Sequence, residues 1–121
     1  MKAFVLEKYG SPMREVVMPE PTPGPRQVLV RMAASGVNHA DERTRAGEFK
    51  AVFRLALPQV MGGELSGEVV AVSEQVTEFT VGDEVYAYTG VVAMGTFAAV
   101  SYTHLRAHET DSYLVCRLLL E

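Results

Sequence analysis

Gln27-Val28-Leu29-Val30-Arg31-Met32-Ala33-Ala34 runs straight through Ser35-Gly36-Val37-Asn38 into His39-Ala40-Asp41-Glu42-Arg43-Thr44-Arg45-Ala46-Gly47, and this passage decides the fold. Val28, Val30 and Met32 alternate with Gln27, Leu29 and Arg31, the period-two pattern of a half-buried strand over Gln27 to Ala34. Asn38 suits the N-cap of a short helix through Arg45, because a short polar side chain can satisfy the backbone donors that a helix start leaves open. Asp41 and Glu42 then fall in the first turn, where the helix dipole favours negative charge. Gly47 can take the left-handed conformation that ends a helix. A strand feeding one brief helix is the expectation.

Outward from that passage the chain is β-rich from Met1 to about Ala98. Met1 to Lys8 and Arg14 to Met18 read as strands around the turn residues Tyr9-Gly10-Ser11-Pro12. Pro19, Pro21, Pro23, Gly24 and Pro25 form an extended connector, since proline removes backbone donors and fixes φ. Leu65 to Val76 reads as a long strand carrying Val69, Val70 and Val72. Thr80-Val81-Gly82-Asp83 turns the chain into a further strand, Glu84 to Tyr88, and Gly95-Thr96-Phe97-Ala98 begins another. Short strands, Pro/Gly punctuation and one helix predict a mainly β fold, a partly open β-barrel.

Composition narrows the function. The 121 residues allow one domain with a modest core. Hydrophobic residues are 48% and charged ones 21%, ordinary for a globular chain, and the net charge of −4 comes without a basic stripe. A nucleic-acid partner, which needs clustered Lys and Arg to displace counterions, is not expected. No apolar run is long enough to cross a bilayer, and Met1-Lys2-Ala3 does not lead into a signal peptide, so no membrane partner is expected. The single cysteine, Cys116, cannot form an internal disulfide and fits a reducing compartment, so cytoplasm is the expected location. Gly62-Gly63-Glu64-Leu65-Ser66-Gly67 is not a dinucleotide-binding fingerprint, and no strand-turn-helix unit surrounds it; a close-packed turn explains it better.

Four blocks nonetheless resemble, in order, the medium-chain dehydrogenases/reductases. Pro21-Thr22-Pro23-Gly24-Pro25-Arg26-Gln27-Val28-Leu29-Val30-Arg31 looks like their entry strand. Gly36-Val37-Asn38-His39-Ala40-Asp41 with Arg45-Ala46-Gly47 looks like their active-site helix. Pro58 and Gly62-Gly63-Glu64-Leu65-Ser66-Gly67-Glu68-Val69-Val70 resemble the next block, and Val81-Gly82-Asp83-Glu84-Val85-Tyr86 the last. The resemblance implies a GroES-like catalytic barrel followed in the parent protein by a Rossmann domain.

Zinc-dependent members bind catalytic zinc through a cysteine before the helix and a histidine in the third block. Asn38 and Gly63 stand there, and they cannot supply the tetrahedral N or S donors that zinc requires. The four-cysteine structural zinc lobe is missing too. The chain therefore resembles the zinc-independent branch, the quinone and enone reductases, which implies NADP(H) in the full-length parent and no metal. The implied chemistry is hydride transfer to the β-carbon of a conjugated carbonyl, with the developing enolate stabilised by hydrogen-bond donors or positive charge. Asn38 is the candidate catalytic residue, and Asn38 with Asp41 the candidate cofactor-binding residues; a plain cap is the other role open to Asn38. Asp41 and Arg45, four apart, read as an ordinary helix ion pair. His39 reads as a partly buried helix residue, with proton donation as its alternative. Arg43 and Phe49 stand where quinone reductases of this type carry tyrosines.

The end of the chain departs from the family. After Gly95-Thr96-Phe97-Ala98 these proteins continue with Glu-Tyr and more strand. Here Ala99 leads into Val100-Ser101-Tyr102-Thr103-His104-Leu105-Arg106-Ala107-His108-Glu109-Thr110. That string resembles one reading frame of a transposon adapter used in sequencing libraries, and Tyr113 to Glu121 resembles the flow-cell sequence that comes after it. The expected organisation is a truncated GroES-like domain over 1–99 and a non-native tail over 100–121. A rival reading takes His104, His108, Glu109 and Cys116 as a metal site, and Leu114, Leu118 and Leu119 as a helical apolar stripe.

The chain is thus expected to be a fragment of an oxidoreductase that is inactive and poorly soluble alone. Its parent acts on a small-molecule carbonyl substrate and forms a homodimer. The alternative from another class is a stand-alone GroES-like binding or co-chaperonin-type module, which would behave as a defined ring in size-exclusion chromatography where a fragment would aggregate.

Overall fold

The computed structural model describes residues 1–90, 93–103 and 115–117. Strand β1 (Lys2–Leu6) turns Ala3 and Val5 inward and Lys2 and Phe4 outward, as alternation dictates, with Leu6 buried as well. It pairs antiparallel with β2 (Arg14–Val17) on one side and, through Val5 and Leu6, with β4 (Gln59–Val60) on the other. A second sheet has five strands. There β3 (Val28–Ala34) lies between β7 (Val100–Thr103) and β5 (Glu64–Val72), and β5 is followed by β6 (Glu84–Tyr88) and β8 (Val115–Arg117). The helix α1 (His39–Ala46) connects β3 to the rest.

The two sheets are stitched by residues 96–99. Phe4 N–H donates to Phe97 O at 2.8 Å and Ala99 N–H to Lys2 O at 2.9 Å, while Met32 N–H donates to Ala99 O at 2.9 Å. One short segment thus bonds to β1 on one side and β3 on the other, leaving a barrel that is curled but not closed.

Several expected boundaries shift for identifiable reasons. β3 is buried on both faces at its start, Val28, Leu29 and Val30 alike, rather than half-exposed. The strand expected to reach Val76 ends at Val72: Ser73 N–H crosses to Gln27 O at 3.1 Å and Val76 N–H returns to Ser73 O at 3.0 Å, which makes a turn. Val76 still packs on the core. The strand expected from Gly95 starts at Val100, since Gly95, at φ 149°, and Phe97 bond to Gly62 O and Met61 O instead. β4, two residues long, is too short for periodicity to reveal.

The core is Val28, Val30, Leu65, Val69, Phe79, Val85 and Ala87. Each of the larger side chains among them contributes about 1.5–3 kcal/mol through burial. β3 and β5 approach so closely at Gly67, which faces Met32, that a Cβ there would collide with the Arg31 carbonyl oxygen and lie 2.9 Å from Val30 Cγ1. Glycine is required at that position by space, not by its backbone angles.

Of the tail, His104, His108, Glu109, Leu114, Leu118 and Leu119 lie outside the described residues. Val115–Arg117, within the span read as an apolar helical stripe, instead pairs with β6 as a strand.

Candidate functional site

Asn38 caps α1 from extended backbone, φ −119° and ψ 158°. Asp41 accepts a 2.8 Å hydrogen bond from the Asn38 N–H on its Oδ2, satisfying a donor at the helix start, and lies only 8% exposed. Gly47 ends the helix at φ 85°, with its N–H on the Thr44 carbonyl at 3.0 Å. The helix is held from outside by the turn after β1. Gly10 N–H donates to Arg45 O at 2.8 Å and Arg45 Nη1 donates to Ser11 O at 2.7 Å; beyond the helix, the Tyr9 hydroxyl accepts the Leu55 N–H at 2.8 Å.

The expected Asp41–Arg45 pair does not form. Arg45 grips Glu42, three residues back, through Nε at 2.8 Å and Nη2 at 2.6 Å, because Asp41 is already committed to the cap. Those bonds hold the Glu42 carboxyl below the ordinary carboxylate range and raise Arg45. His39 is exposed rather than partly buried, as the first residue of a helix whose inward positions are Asp41 and Thr44. Arg43 lies 4.9 Å over the Phe49 ring and donates to Glu48 at 2.6 Å.

Beside α1 opens a concavity of about 370 Å³ lined by Asn38, Ala40, Asp41, Gly63, Glu64, Tyr88 and Gly90. Both positions read as replaced zinc ligands, 38 and 63, lie on its wall. Sequence reasoning missed Glu64 and Tyr88. Glu64 heads β5, where its Oε1 accepts the Asn38 Nδ2 at 2.9 Å, and its carboxylate occupies the space where a side chain on Gly36 would project. Tyr88 ends β6 directly opposite Glu64 and is 41% exposed. The alternation of β6, with Val85 and Ala87 inward, placed Tyr88 on the other face, but only the pairing places it beside Glu64. Beneath the wall, Ser35 Oγ donates to Glu64 O at 2.6 Å and lies 2.9 Å from Thr96 Oγ1, while Thr89 Oγ1 donates to Gly63 O at 3.1 Å. These bonds pin both ends of the Gly63-Glu64 segment.

Positions 38 and 63 supply neither thiolate nor imidazole. The Asn38 amide is turned onto a carboxylate, Gly63 has only backbone, and no group of three or more His, Cys, Asp or Glu able to hold a metal occurs among the described residues.

Two unclosed antiparallel sheets with one short helix at the rim of a concavity define a GroES-like domain. Residues 24–112 match the alcohol dehydrogenase GroES-like domain, and the chain belongs to that family. A quinone oxidoreductase of Pseudomonas aeruginosa is 45% identical over 87 residues, 72% of this chain and 24% of that protein. A sorbitol dehydrogenase of Halalkalibacterium halodurans is 40% identical over 90 residues, 74% of this chain and 25% of that one. The solved structure of a mycobacterial protein complexed with NADPH superposes with a TM-score of 0.74 at 30% identity, covering 93% of this chain and 35% of its own. The chain spans about a quarter of the length of the curated relatives it matches.

Proposed function

We propose that the chain is the substrate-side half of an NADP(H)-dependent oxidoreductase of the medium-chain type, working without zinc on a small conjugated carbonyl compound. The observation that carries this reading is the Asn38 amide, fixed on Glu64 at the rim of a concavity, where zinc-dependent members would place a thiolate. The concavity is of the size that small ligands occupy. A bound nicotinamide would supply the hydride. The chain's own part is to orient the reacting groups through Asn38, the catalytic residue, which with Asp41 faces the cofactor, and to exclude water with Tyr88 and Ala40. Arg43 and Phe49 are stacked on each other and do not line the concavity, which favours a compact enone over a quinone.

The parent carries a Rossmann domain after this one, forms a homodimer and is cytoplasmic. Residues 1–99 are the native GroES-like part and 100–121 derive from adapter sequence, so the chain alone is inactive. The test is to express the gene read uninterrupted past Ala98 and follow NADPH oxidation with cyclohexenone. Enone-dependent oxidation that survives chelators and drops at least tenfold in Asn38→Ala is expected. A gene that truly encodes the His104-to-Glu121 end, or an enzyme that loses activity with zinc removal, overturns the reading.

A further inference from the structure

Glu64 does more than brace a neighbour. It is the carboxylate at the centre of the concavity wall, flanked by Asn38, Gly63 and Tyr88. Its Oε1 accepts the Asn38 amide at 2.9 Å, and its Oε2 fills the space that the missing Cβ of Gly36 leaves. That hydrogen bond and that space set the carboxylate's position on the wall.

Among the described residues no Lys or Arg lines the concavity or pairs with Glu64. Arg43 and Arg45, the cations on α1, are taken by Glu48 and Glu42. The positive end of α1 would favour an anion, but Asp41 sits on it with its carboxylate bonded to the first backbone donor. His39 lies at the same end and is exposed to solvent. What remains facing a ligand is an uncompensated negative charge beside a neutral amide, a tyrosine and glycines. Such an arrangement rejects wrong ligands by repulsion as much as it selects right ones.

Resting on the reading of this wall as the substrate side, we propose that Glu64 is a positioning and specificity-determining residue. It fixes the Asn38 amide and restricts the wall to uncharged ligands, so carbonyl compounds bearing a carboxylate or phosphate are excluded.

The test pairs a neutral and an anionic ring of the same shape, nicotinamide and nicotinate, as probes of the full chain and of the intact protein. Binding is read by ligand-observed NMR, with the Asn38 side-chain amide followed in a labelled sample. Nicotinamide is expected to bind at least tenfold more tightly than nicotinate. Glu64→Gln keeps an acceptor for Asn38 and removes the charge. It should bring the two affinities within about threefold and leave the Asn38 amide signal in place. Glu64→Leu should equalise the probes and also release that signal. Equal binding of both probes by the unsubstituted protein, no binding of either, or a discrimination unmoved by Glu64→Gln overturns the proposal. In the intact enzyme, activity on cyclohexenone alongside any of those results would leave the oxidoreductase reading standing and sink only this one.

Discussion

Replacing Gly67 with alanine tests how tightly β3 and β5 are joined. The added Cβ would strike the Arg31 carbonyl oxygen and sit 2.9 Å from Val30 Cγ1 and 3.0 Å from the Arg31 carbonyl carbon. Two of these three obstacles are backbone of the paired strand, and Val30 is fully buried in the core, so no flexible side chain can yield. Overpacking a well-filled core costs about 1–3 kcal/mol, and relief here would need two central strands to separate, which puts the loss at the upper end, about 3 kcal/mol. For a domain of this size each kcal/mol moves the melting temperature by about 4–8 °C, so a fall of about 12–24 °C is expected. Gly10→Ala is the control. Gly10 has φ 81° with nothing within 4 Å of an added Cβ, so it carries only the strain of a left-handed alanine, about 1–2 kcal/mol. Thermal unfolding followed by circular dichroism compares them. If Gly67→Ala melts no lower than Gly10→Ala, steric closeness is not what places glycine at position 67.

Other substitutions probe the site and its supports. Asp41→Ala should lose about 1–2 kcal/mol of stability in urea unfolding, because it strips the cap acceptor from the Asn38 N–H, whereas Asp41→Asn, which keeps an oxygen there, should lose less. Tyr9→Phe removes the acceptor for the Leu55 N–H and should cost about 1 kcal/mol in the same assay while leaving the ring under Lys50. The Glu42 carboxyl titrates low because Arg45 bonds to its charged form, so the pair's contribution is present above the unfolded-state value and lost as pH falls through the folded one. In an NMR titration the Glu42 carboxyl should return toward ordinary carboxylate behaviour in Arg45→Met; an unchanged titration would assign the shift to something else. With Glu42 exposed to solvent, the pair should move overall acid stability little.

The strand-helix passage from Val28 to Gly47 was legible because its signals are local: alternation, a capping residue, acids in the first turn and a terminal glycine. The family blocks carried the rest of the fold, and the position of Asn38 came with them. Glu64 stands within its block with nothing local to mark it as part of the site, since its partners Asn38 and Tyr88 are distant in sequence and meet it only through the β5–β6 pairing and the path of the loop before α1. The Asp41–Arg45 misreading has a similar origin. Spacing allowed two partners for Arg45, and what decided between them was the competing claim of a backbone donor on Asp41, which helix spacing does not reveal. Likewise, Leu29 is buried along with Val28 and Val30, and an alternating sequence does not show that both faces of β3 are covered at this end.

The bonds of Gly10 and Ser11 to Arg45 tie the amino-terminal hairpin to the far end of α1. Met1 is itself anchored, its amine on the Met18 carbonyl at 2.6 Å and its own carbonyl accepting the Met18 N–H at 2.9 Å, so the hairpin has little slack with which to absorb a disturbance. A purification tag fused ahead of Met1 would turn that amine into a peptide nitrogen and place new chain beside the Met1–Met18 pair.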